Sequence, residues 1–291
     1  MDHVFDGAHA TVLKLLCRGI AEYQQPKISL SLRNNNLDDE DVIAVLEARR
    51  QAKIRVEDAA RRAAAGASYI NKNAIFSKLD LTGNLRVGSL INGTMRPPAW
   101  RSQLMSDLQR IKLDQCLVTP TWLEVFANAA VEAGHLQELR VRCCQLNKKH
   151  VGPLVILMKG CLSLRKLDIS RNAFPAKAGT TFAETLQQHA LHITRFDISV
   201  NKLGLVGVGA FLQFARPGVK VNLIGNAVES GKFRELSAKI NEKVSMQEAE
   251  TNDHVEVLPT LEEILAAHNS SNLYELFGAV TGLPPKAAVF N

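Results

Sequence analysis

Residues 164–174 read Leu164-Arg165-Lys166-Leu167-Asp168-Ile169-Ser170-Arg171-Asn172-Ala173-Phe174. The apolar members fall in the frame L-x-x-L-x-L-x-x-N-x-L. Leu167 and Ile169 are two apart, so both side chains leave one face of a short extended segment. Asn172 stands where the chain turns out of that segment. Its amide both donates and accepts, so it can satisfy backbone groups of an adjacent turn.

The frame returns along the chain. It is met at Ile193, Phe196, Ile198, Asn201 and Leu203, and at Leu136, Leu139, Val141, Cys144 and Leu146. It is met again at Leu108, Ile111, Leu113, Cys116 and Val118. Shorter versions are Leu30, Leu32, Asn35, Leu37 and Val221, Leu223, Asn226, Val228. A third has Leu79, Leu81 and Asn84, with Arg86 in the last apolar slot. After each turn the spacing becomes helical, as in Trp122, Leu123, Phe126 and Ala130, or Phe182, Leu186 and Ala190. The unit is strand, turn, helix, and each buries its apolar face only against a neighbour.

The pattern resembles the leucine-rich-repeat superfamily, in particular its ribonuclease-inhibitor-like class, over roughly residues 26–230. A period near 28 and the alternation of Cys with Asn in the turn slot carry the resemblance. It implies an α/β solenoid, a horseshoe with parallel strands on the concave face and helices on the convex face. Asn35, Asn84, Cys116, Cys144, Asn172, Asn201 and Asn226 form the expected structural ladder. The interval from Asn35 to Asn84 is 49 residues, about twice the others. Ile54-x-Val56-x-x-Ala59 fits inside it as a degenerate strand, giving about eight repeats. The rival is one long Ala/Arg-rich helix inserted between repeats.

The expected organisation is an N-terminal helical cap (residues 1–26), the repeat array (27–230), a capping helix (231–249) and a linker with C-terminal helices (250–291). Val12, Leu13, Leu16 and Ile20 give the first cap its apolar stripe; Phe233, Leu236, Ile240 and Val244 give the last. The final helices either fold back or dock on a partner.

Composition bounds the function. At 46% hydrophobic and 22% charged, the chain can form a core, and with only 5% aromatics that core is aliphatic. The five cysteines are odd in number and contain no C-x-x-C pair, so neither a disulfide framework nor a zinc site is expected. No signal-like run opens the sequence, and the longest aliphatic run, Leu154 to Met158, is far too short to span a membrane. A reducing, cytoplasmic location follows, with cytoskeletal or flagellar association open.

Chemistry-bearing constellations are sparse. His189 and His192 are three apart near a helix end and lack Glu or Cys partners at ligand spacing. Gly225 to Gly231-Lys232 is one residue too long for a phosphate loop, and Phe233 replaces its Ser/Thr. Cys143-Cys144 reads as structural. No catalytic residue, cofactor, metal or membrane partner is expected.

The strand residues that point away from the leucines are charged. The residue before the first strand leucine runs Ser29, Lys53, Lys78, Arg110, Glu138, Lys166, Arg195, Lys220. The next column runs Ser31, Arg55, Asp80, Lys112, Arg140, Asp168, Asp197, Asn222, and a third adds Arg33, Glu57, Asp114 and Arg142. The net charge of +6 lies largely in these columns. The candidate partner-binding residues are therefore Lys53, Arg55, Lys78, Arg110, Lys112, Arg140, Arg142, Lys166, Arg195 and Lys220. The expected function is a non-catalytic interaction or scaffold subunit, holding a protein with an acidic surface within a cytoskeletal, axonemal or ribonucleoprotein assembly. One alternative is a regulator of a small GTPase of the Ran GTPase-activating kind, although the strongly acidic tail of that class is missing here. Another is RNA binding through the basic column, a reading weakened by the shortage of aromatics to stack bases.

Overall fold

The computed structural model describes residues 9–22, 29–64, 76–88, 102–214 and 219–226. Two compact units are present. The first comprises Met1–Gln145 with Gly152–Leu164, the second Leu146–Val151 with Arg165–Asn291. Each is built on a leucine-rich-repeat plan of parallel strands alternating with helices.

In the first unit, α1 (His9–Glu22) packs on α2 (Asp39–Ala64). Four strands follow one another in space: β1 (Ser29–Ser31), β2 (Lys78–Asp80), β3 (Arg110–Lys112) and β4 (Glu138–Arg140). All pair in parallel, with Leu30, Leu79, Ile111 and Leu139 in register. The connections carry α2, then α3 (Ser102–Met105), then α4 (Pro120–Ala133). All but the first residue of α5 (Val151–Gly160) belongs here too. The second unit holds a 3-10 turn (Lys148–His150), β5 (Lys166–Asp168), α6 (Ala176–Gln188), β6 (Arg195–Asp197), α7 (Gly204–Gln213) and β7 (Lys220–Asn222). Its strands are again parallel, with Leu167, Phe196 and Val221 in register.

Local chemistry sets the helix ends. Thr119 caps α4 by accepting the Trp122 N–H, Pro120 opens the helix with its φ already suitable, and Gly134 closes it at φ 69°. Trp122 is fully buried and stacks on Phe126 at 5.2 Å between ring centroids. Its indole N–H donates to Asp39 Oδ1 at 2.7 Å, while Asp39 Oδ2 accepts the Gly88 N–H at 3.1 Å. In the second unit, Phe174, Phe182, Phe196 and Phe211 form a chain of rings 5.4 to 5.9 Å apart.

The ladder is formed as the asparagines require. Asn84 Oδ1 accepts the Asn35 and Leu37 N–H groups of the preceding turn, both at 3.0 Å. Its Nδ2 donates to Leu32 O and Leu81 O at 2.8 Å. Asn201 accepts from Phe174 N at 3.0 Å and donates to Ile169 O at 3.2 Å. Asn226 does the same toward Leu203 N and Ile198 O. The cysteines donate in the same direction. Cys144 Sγ donates to Leu113 O at 2.9 Å and Cys116 Sγ to Leu81 O at 3.4 Å. Burial pushes the Cys144 thiol up to about 12 and the Cys116 thiol higher still, so both remain donors.

One expectation is corrected. Ile54, Val56 and Ala59 lie within α2, a continuous helix, and form no strand. Seven strands are present among the described residues, so the extra repeat is absent there. The reason is local. From Asp39 to Ala64 the sequence is rich in Ala, Arg and Glu, with no Gly or Pro to break a helix. Asp39, Glu40 and Asp41 also complement the helix dipole in the first turn. The buried positions Val42, Val45, Leu46, Arg49 and Ala52 follow a helical stripe, and Ile54 is 41% exposed. The C-terminal capping stripe, the linker and the final helices lie outside the described residues.

Candidate protein-binding face

Each strand is three residues long, and in β1–β6 the central one is buried. Its two neighbours leave the opposite face. That alternation places Lys78, Arg110 and Lys112 on the open face of the first unit and Lys166, Arg195 and Lys220 on that of the second. Arg140 ends β4 and Arg142 lies two residues beyond it. Lys53 and Arg55 are not on a strand face at all. They ride on α2, where Lys53 ion-pairs with Asp107 and Arg55 donates to Ala21 O at 3.3 Å.

In the first unit Arg110, Lys112 and Arg140 are matched within the face. Arg110 pairs with Glu138 at 3.3 Å and Lys112 with Asp80 at 3.6 Å, each on the adjacent strand. Arg140 Nε donates to Asp114 Oδ2 at 2.6 Å, and Asp114 is nearly buried at 8% side-chain exposure. The two more exposed pairs, Arg110–Glu138 and Lys112–Asp80, contribute about 0.2–1 kcal/mol each. They hold neighbouring strands in register.

The acids have a second duty. Asp80, Asp168 and Asp197 each accept, through Oδ1, the N–H and hydroxyl of the residue two further on: Thr82, Ser170 and Ser199. These bonds pin the chain as it leaves the strand. The residue before each ladder position then takes a left-handed conformation: Asn34, Gly83, Gln115, Cys143, Arg171, Val200 and Gly225 all have φ between 52° and 79°. On β3 and β4 the Asp slot holds Lys112 and Arg140. There Asp114 takes over, accepting the Arg142 N–H at 3.1 Å.

The second unit is arranged differently. Lys166, Arg195 and Lys220 stand side by side in register, as do Asp168, Asp197 and Asn222. Asn222 Nδ2 donates to Asp197 Oδ2 at 3.0 Å, tying these two members of the second row together. The Arg195 and Lys220 side chains have no acid partner among the described residues.

A buried cation escaped sequence reading. Arg49 is 1% exposed, donates to Phe76 O at 2.7 Å and Ser106 O at 2.8 Å, and lies over the Phe76 ring. Burial lowers its pKa to about 10, so it stays charged. Burial alone would raise the nearby Asp107 carboxyl, but Lys53, Arg49 and His135 hold it below its usual range. Its only sequence signal is that Arg49 sits in the apolar stripe of α2. Among the described residues, no group of three or more His, Cys, Asp or Glu could hold a metal ion. No described helix is long and apolar enough to cross a membrane. His189 ends α6, its N–H donating to Thr185 O at 3.0 Å.

No family model matches the sequence. No curated protein matches it either. Among solved structures, a tropomodulin C-terminal domain from Caenorhabditis elegans is similar at 12% identity and a TM-score of 0.37, covering 50% of this chain and 92% of that one.

Proposed function

From a leucine-rich-repeat fold with charged strand faces, we propose that this chain is a non-catalytic scaffold subunit that binds a protein with an acidic surface. The observation that carries the reading is the row Lys166, Arg195 and Lys220 on β5, β6 and β7. Rigid strands hold these side chains side by side, and Arg195 and Lys220 have no acid partner among the described residues. Charges arranged this way accelerate encounter with an oppositely charged partner and reject others. Arg110, Lys112 and Arg140 are matched by their own neighbours and contribute chiefly to the sheet. The setting we favour is a larger intracellular assembly, with cytoskeletal and ribonucleoprotein complexes the leading candidates.

The test is capture from native extract with the full chain as bait, comparing wild type with the double variant Arg195→Glu/Lys220→Glu. Lys177→Glu, exposed on α6, serves as the control. Proteins retained by wild type and by the control but lost with the double variant support the reading. Identical captures from all three baits overturn it.

A further inference from the structure

The second unit concentrates positive charge. Its described residues carry nine Lys/Arg and three Asp/Glu. Three of the nine are Lys166, Arg195 and Lys220, in register on adjacent strands. Parallel neighbours lie about 4.8 Å apart, so the row repeats at about 4.8 Å and spans about 9.6 Å. Next to it, about 6.6 Å along the strands, runs the row Asp168, Asp197 and Asn222. The Oδ1 atoms of its two carboxylates are held by Ser170 and Ser199. A positive edge thus lies beside a fixed, partly negative one.

We propose that β5, β6 and β7 bind an acidic α-helix of a protein partner, laid across the strands with its acids at i, i+3 and i+7 over Lys166, Arg195 and Lys220. The proposal rests on the scaffold reading above and names the chemistry of the partner. An α-helix rises 1.5 Å per residue, so those three acids stand at about 0, 4.5 and 10.5 Å along its axis. The cations stand at about 0, 4.8 and 9.6 Å. An extended peptide repeats on one face every 6.6 Å or so and loses register by its second acid. Nucleic acid fits less well. Its phosphates would lie over Asp168 and Asp197, and Phe174, Phe182, Phe196 and Phe211 are buried and so cannot stack on bases. The Asp row also sets polarity, because an acid on the wrong edge of the helix meets a carboxylate.

The experiment uses two short stapled helical peptides of identical composition, followed by fluorescence anisotropy against the full chain at low salt. One carries glutamates at i, i+3 and i+7; the other distributes them around the helix. The aligned peptide is expected to bind about tenfold more tightly, three weak ion pairs acting together. Arg195→Gln/Lys220→Gln is expected to erase the preference while its thermal melting stays that of wild type. Equal affinity for the two peptides overturns the proposal without any variant, and so does a preference that survives in the double variant. Tighter binding of single-stranded RNA than of the aligned peptide also overturns it and assigns the face to nucleic acid. If extract capture depends on Arg195 and Lys220 but the peptides are not distinguished, the helix proposal falls and the scaffold reading stands.

Discussion

Asp114 and Arg140 are locked together across β3 and β4: Arg140 Nε donates to Asp114 Oδ2 at 2.6 Å, and the other carboxylate oxygen takes the Arg142 N–H at 3.1 Å. Asp114 is therefore a structural acid facing a cation that otherwise invites a functional reading. Asp114→Ala is expected to destabilise the chain by about 2–4 kcal/mol, because it removes a buried acceptor of bonds from the Arg140 side chain and the Arg142 N–H. A double-mutant cycle with Asp114→Asn and Arg140→Gln, followed by urea unfolding, should give a coupling of about 1–3 kcal/mol. Additive effects would remove Asp114 from this role.

The left-handed slot makes the same demand at two positions that now hold different residues. Val200 is β-branched and sits at φ 52°, a conformation costly for such a residue. Val200→Gly is expected to stabilise the protein by up to about 1 kcal/mol, the relief of strain exceeding the added freedom of the unfolded chain. Gly83 occupies the equivalent slot at φ 79°, and a methyl there would lie 1.8 Å from Asn34 Oδ1. Gly83→Ala should destabilise by about 1 kcal/mol through its left-handed backbone, since the exposed Asn34 side chain can move aside. The same direction of change in both variants would contradict the assignment.

The ladder thiols carry a pH signature. Cys144 is pushed up to about 12 by burial, and Cys116 is raised further, whereas an unfolded thiol ionises near 8.5 or so. Below that value both states hold the proton and the full stability is present. Above it only the unfolded chain loses protons, so stability falls as pH rises, by about 1.4 kcal/mol per pH unit for each thiol. Urea midpoints between pH 8 and 11 or so should fall more steeply for wild type than for Cys116→Ala/Cys144→Ala. Equal slopes would mean the thiols are not protected.

Arg49 anchors α2 to the chain before β2 and to the turn after α3, through Phe76 O and Ser106 O. Arg49→Ala opens a cavity and orphans two carbonyls, a loss of about 3 kcal/mol or more. Arg49→Lys restores the charge without the planar fork and should recover only part of it. Full recovery would show that charge alone matters.

The strands, helices and ladder were legible because each rests on a repeated side chain. Leu, Ile and Asn recur at fixed offsets, and the geometry that needs them is the same every time. The inner face was less legible, since a column of lysines and arginines in sequence says nothing of the acid opposite each one. Asp114 lies one alternation out of its expected place, and only the strand register brings it to Arg140. Ile54 and Val56 mislead because two β-branched residues at i and i+2 satisfy a strand frame while the surrounding Ala, Arg and Glu favour a helix. The left-handed slot left no trace, because Asn34, Gly83, Gln115, Cys143, Arg171, Val200 and Gly225 share a conformation and no chemistry.

The amide ladder runs one way. Asn84, Asn201 and Asn226 each reach toward the turn that precedes them, accepting its N–H groups and donating to its strand carbonyl. Each amide also donates within its own turn, Asn84 to Leu81 O, Asn201 to Ile198 O and Asn226 to Leu223 O, but the N–H groups of the preceding turn are met only by its successor. On the ribosome, where the chain emerges from its N-terminus, every repeat must therefore wait for the next to arrive before its backbone is satisfied. Trimming repeats is unequal for the same reason. Loss of a later repeat strips the amide's bonds from the turn before it, whereas loss of an earlier repeat leaves the next amide its own-turn bond and costs chiefly strand pairing.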